Sequence, residues 1–124
     1  MKIVEYTGNG QKKALLLSED SKFVDICSYD LTKRFCSVKK VRGIEEMLEE
    51  IKRKTKYDLY LVEGHITHAQ KVYDLIKERV EKEGAKFLFL SYSQEDIKKA
   101  LQKGWVAIDN RDFSWIIDRF LERP

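Results

Sequence analysis

At 124 residues, with 36% charged and 43% hydrophobic residues and a formal net charge of +3, the chain has the size of one domain and the means to bury a core, which excludes a disordered or collagen-like polymer. No apolar run approaches the roughly 20 residues of a membrane span. Lys2, Glu5, Lys12 and Lys13 interrupt any signal-peptide stretch, and Cys27 and Cys36 make no disulfide framework.

The expectation is therefore one soluble domain over residues 1–124 in a reducing, cytoplasmic compartment. Two asparagines and four glutamines beside abundant Lys and Glu fit a thermophilic source.

In chain order, the first 42 residues predict a β-meander. Its strands are Lys2–Tyr6, Lys13–Leu17, Phe23–Ile26 and Arg34–Val41, broken at Gly8-Asn9-Gly10, at Ser18–Ser21 and near Tyr29-Asp30. From Gly43 the period changes. Ile44, Met47, Leu48 and Ile51 share one helical face, closed by Lys52, Arg53 and Lys54, which suit the negative helix end.

A strand over Asp58–Val62 follows, then a helix capped by Thr67 and Gln70 as a capping box. Its inward face is Ala69, Val72, Tyr73, Ile76 and Val80, and Gly84 stops it. The strand Lys86–Leu90 precedes a Ser93-capped helix that Gly104 ends. Trp105–Ile108 is the last strand, and Asp112 caps a terminal helix with the apolar stripe Phe113, Ile116, Ile117, Phe120 and Leu121. The fold class expected is α/β: a meander followed by alternating helices and strands, in a three-layer mixed sheet.

Asp25 on the second meander strand and Ser37-Val38-Lys39 on the next carry a resemblance to the restriction-endonuclease-like superfamily. The later element order resembles its Mrr-type branch, and Leu59–Gly64 is similar to the strand after the nuclease motif of archaeal XPF and Hef nucleases. The resemblance implies a Mg2+- or Mn2+-dependent nuclease with Asp25, Lys39 and Glu63 as the catalytic set. Asp25 and Glu63 would hold the metal, Glu63 replacing the family's acid, because Ser37 cannot offer a carboxylate to a hard cation.

A DNA or RNA partner would then lie along Lys33, Arg34, Lys40 and Arg42 and meet Lys52, Arg53, Lys54, His65 and His68, each phosphate contact adding salt-dependent affinity. The same cations equally describe a solvated surface. His65, His68, Cys27 and Cys36 contain the atoms of a zinc site without its usual paired spacing.

A second expectation is a non-enzymatic α/β interaction module acting through homodimerisation or docking, with Phe113, Trp115 and Phe120 supplying the surface. A third follows from residues 43–108, which resemble the kink-turn-binding ribosomal protein family, although Ile44-Glu45 stands in place of that family's Asn-Glu. Dinucleotide and phosphate-loop glycine motifs are absent from the sequence.

Overall fold

The computed structural model describes residues 12–33, 36–53 and 55–122. Strands β1 (Lys12–Leu17), β2 (Cys36–Val41), β3 (Leu59–Glu63), β4 (Lys86–Ser91) and β5 (Val106–Asp109) alternate with helices α1 (Ser21–Lys33), α2 (Ile44–Lys52), α3 (Ile66–Lys82), α4 (Gln94–Gln102) and α5 (Phe113–Glu122). A short 3-10 turn, Asn110–Asp112, joins β5 to α5.

The strands form one parallel sheet in the order β2-β1-β3-β4-β5. Ala14, Leu15, Leu16 and Leu17 are buried without alternation, the mark of a strand covered on both faces, which is the setting of parallel sheets.

Alternate residues divide between two cores. Leu15, Leu17, Tyr60, Val62, Phe87 and Phe89 pack beneath α2, α3 and α4, with Met47, Val72, Ile76 and Ile97 facing them. Ala14, Leu16, Leu61, Leu88 and Leu90 pack beneath α1 and α5, against Phe23, Cys27, Leu31, Phe113 and Ile117. The result is three layers, with the sheet in the middle.

Two expectations are overturned. Phe23–Ile26 is the start of α1 and not a strand: Phe23, Cys27, Asp30 and Leu31 are its buried residues, a spacing of 3.6. Asp20 initiates the helix, its Oδ1 accepting from the Lys22 and Phe23 amides at 3.1 and 3.2 Å. The meander and the mixed, restriction-endonuclease-like sheet fall with that strand. β1 is already paired on both sides by parallel neighbours, so no hairpin partner fits beside it. The expected strand Lys2–Tyr6 lies outside the described residues.

From Gly43 onward the elements agree with the periodicity to within a few residues. Gly84 and Gly104 end α3 and α4 at φ of 82° and 85°, where a side chain would be strained. Ser93 caps α4 by accepting from the Asp96 amide at 3.2 Å. The Thr67 capping box does not form: α3 begins at Ile66, with His65 at the N-cap and no side-chain cap bond. Asp112, expected as a cap, accepts instead from the Trp115 indole at 3.2 Å.

Candidate functional site at the carboxyl end of the sheet

Because β1 connects to β2 on one side and lies against β3 on the other, the chain reverses its winding between β1 and β3. In open parallel sheets, the crevice beyond the strand carboxyl ends at such a reversal is where ligands bind.

Three polar residues meet there. Ser18 follows β1 directly, Glu63 ends β3 and Asn110 follows β5. The Ser18 hydroxyl donates to Glu63 Oε1 at 2.8 Å, and Asn110 Nδ2 donates to Glu63 Oε2 at 3.1 Å. Ser18 and Asn110 are buried and Glu63 is half-buried, so these bonds are worth more than fully exposed ones. Asn110 Oδ1 is buried without a hydrogen-bond partner.

Ser18 also accepts from the Asp20 amide at 3.0 Å, tying the β1 end to the cap of α1. Ser91, at the end of β4, accepts from the Ser93 amide at 3.0 Å.

Beside this carboxylate lies a cavity of about 270 Å³ lined by Leu17, Glu19, Asp20, Glu63, His65 and His68, with Gly64 at its base. The two imidazoles lie 5.0 Å apart, centroid to centroid, at an interplanar angle of 74°. Burial, with help from His65 and Lys71, pushes His68 below its ordinary value of 6.5, against an opposing pull from Glu19. At the end of β5, the hydrogen bonds from Arg111 hold the Asp109 carboxyl down at about 2.

The expected nuclease site does not assemble. Asp25 is exposed on α1. Lys39 pairs in register with Leu15 and so faces α2, its Nζ 3.9 Å from Glu50 Oε1. Glu63 is in register with Leu90 and faces the α1–α5 side. An acid and a lysine on opposite faces of a sheet cannot grip one phosphodiester.

The basic residues are divided as well. Lys33, stacked over the Tyr29 ring at 4.9 Å, and Lys52 and Arg53 close α1 and α2 at the amino end of the sheet. Lys40 is exposed on the edge strand β2, while Arg42, His65 and His68 sit at the carboxyl end. Arg53 is occupied by Glu50 at 3.7 Å, and Arg34 and Lys54 lie outside the described residues. Among the described residues these cations form no single track for a nucleic-acid backbone.

Cys27 is buried in the α1 core, its thiol pushed up by that burial. It does not line the histidine pocket. Of the expected catalytic set only Glu63 reaches the crevice, where His65 and His68 of the expected phosphate-contacting residues also lie; Ser18 and Asn110 carry no sequence signal of their place beside it.

At the opposite end of the sheet a larger cavity, about 490 Å³, opens beside the amino ends of β4 and β5, with Phe87, Trp105, Val106, Trp115, Ile116 and Phe120 among its walls. Trp115 is 62% exposed and Val106 45%.

Five parallel strands in the order 2-1-3-4-5, with helices on both faces, define a flavodoxin-like doubly wound fold of the CheY type. No family model and no curated protein matches the sequence. Solved structures match it as a fold.

A two-component response regulator from Clostridium difficile aligns at a TM-score of 0.68 and 18% identity, over 91% of this chain and 98% of that one. The response regulator TrrA from Thermotoga maritima, solved with Mg2+-BeF, aligns at 0.68 and 13%, over 90% and 98%. A de novo designed Rossmann 2x3 protein reaches 0.66 and 18%, over 90% of each chain. A designed scaffold fitting this well shows that the likeness is one of fold. It overturns both the restriction-endonuclease-like kinship and the nuclease function drawn from it.

TrrA carries its magnesium complex, so the donors of this chain were tested against such an ion. Among the described residues no three His, Cys, Asp or Glu side chains are grouped to hold a metal. Both Glu63 oxygens already accept hydrogen bonds, and Asp20 Oδ1 caps α1. Magnesium needs only one or two carboxylates beside water, and Glu19 lines the same cavity; the expected Asp25–Glu63 pair is not formed, Asp25 being exposed on α1. Among the described residues no helix is long and apolar enough to cross a membrane.

Proposed function

We propose that this chain is a non-enzymatic, receiver-fold interaction module that works as a homodimer joined through β5 and α5. The observation that carries the reading is the exposed Trp115 standing beside the apolar cavity at the β5 edge. Monomeric proteins seldom leave a large aromatic exposed next to an open apolar hollow.

A second copy is the favoured occupant because a two-fold interface must be complementary to itself. This face holds both the projecting indole and a hollow of about 490 Å³, enough for the partner's indole. Among the described residues β5 is an edge strand, its outer backbone groups outside the sheet ladder. Arg119 and Asp112 place both signs of charge on or near the same face. The response-regulator neighbours support a signalling setting in the cytoplasm, with residues 1–124 acting as one domain.

Light scattering across a concentration series tests this. The wild-type chain should have twice its 14.7 kDa monomer mass. Trp115→Glu, at an exposed position, should give the monomer with an unchanged circular dichroism spectrum. A wild-type monomer at high concentration, or a dimeric variant, would overturn the proposal.

A further inference from the structure

We propose that His65 and His68 form a chelating pair for a borderline transition-metal dication of the Zn2+, Co2+ or Ni2+ class, at the mouth of the cavity beside Glu63. The site is independent of the dimer reading, since the two cavities lie at opposite ends of the sheet.

His65 is the N-cap of α3 and His68 lies in its first turn, and residues three apart on a helix are surface neighbours. Their ring centroids are 5.0 Å apart. Two imidazoles bound through nitrogen at about 2.0–2.1 Å with a tetrahedral angle at the ion have centroids roughly 5 Å apart, so the pair already has a chelating separation, and rotation of the rings from their edge-to-face contact would bring a nitrogen of each onto the ion.

The surroundings suit a cation. Glu19, Asp20 and Glu63 line the same cavity, and Glu19 lies close enough to His68 to act on its charge. Lys71 is the opposing cation near His68. It stands one turn along an exposed stretch of α3, where solvent screens it.

Donor chemistry decides which ion. Imidazole suits zinc, copper, nickel and cobalt, whereas magnesium takes oxygen ligands in strict octahedral array. Both Glu63 oxygens and Asp20 Oδ1 are already engaged in hydrogen bonds. With two protein ligands, water would fill the remaining positions.

The test is a titration of the full chain, freed of metal by a chelator, with Co2+, Zn2+ and Mg2+ separately. It is followed by calorimetry and by the imidazole proton resonances. The expected result is one Co2+ or Zn2+ per chain, with both ring sets perturbed together and no sulfur-to-cobalt charge-transfer band. Mg2+ should be far weaker.

His65→Gln and His68→Gln should each weaken binding by at least about tenfold, with an unchanged circular dichroism spectrum. The wild-type resonances supply a readout that needs no variant. No binding at millimolar Co2+ or Zn2+, affinity indifferent to both substitutions, a thiolate band, or stronger Mg2+ binding would each overturn the proposal.

Discussion

Replacing Asn110 by Asp is the sharpest probe of the Ser18–Glu63–Asn110 cluster. The substitution is nearly isosteric, yet it removes the amide that donates to Glu63 Oε2 at 3.1 Å and puts a second carboxylate in its place, at a residue that is 6% exposed. With charge centres about 4 Å apart and an effective dielectric of about 20, the repulsion is about 4 kcal/mol. The pair escapes part of this by taking up one proton between them.

The sign follows from linkage. The folded variant then binds more protons than its unfolded chain, so its stability falls as pH rises, by at most about 1.4 kcal/mol per pH unit. Urea unfolding should show Asn110→Asp costing about 2–4 kcal/mol near pH 8, and less than about 1.5 kcal/mol near pH 5. Asn110→Ala, which loses the donor without adding charge, should show a cost that hardly changes with pH. An Asn110→Asp penalty flat across this range, or below about 0.5 kcal/mol throughout, would show that the amide and the Glu63 carboxylate do not meet.

Two other perturbations report on different parts of the account. Ile117→Ala, at a side chain fully buried between α5 and the sheet, should cost about 2–5 kcal/mol in urea unfolding. His68, held below 6.5, resists protonation in the fold, so the stability present above pH 6.5 is lost as pH falls below 6.5 towards its lower folded value. The fall in thermal midpoint on acidification below 6.5 should shrink in His68→Gln.

The sequence was legible where one period ran long enough to be read. α3 spans 17 residues with its apolar face uninterrupted, and α4 carries both its cap and its stop. In α1 the helical stripe is broken by Asp30, a buried carboxylate bonded to the Ser114 hydroxyl. Without Asp30 as an inward position, Phe23-Val24-Asp25-Ile26 reads as a short, largely apolar strand between polar breaks.

A contrary signal was present: Ala14–Leu17, Leu59–Val62 and Phe87–Leu90 are unbroken apolar runs, which a parallel sheet favours and a half-exposed meander does not. Glu63 could be singled out as an acid at a strand carboxyl end. Its partners could not, because Ser18 and Asn110 are 45 and 47 residues away and only the strand order brings them together.

In the proposed dimer, β5 and α5 form the face where two copies meet. Amide chemical shifts followed from dilute to concentrated protein test it residue by residue. They should move at Val106, Ile108 and Trp115 as the dimer forms, while Val38 and Lys40 on the opposite edge strand β2 stay fixed. Shifts independent of concentration, or confined to β2, would contradict it.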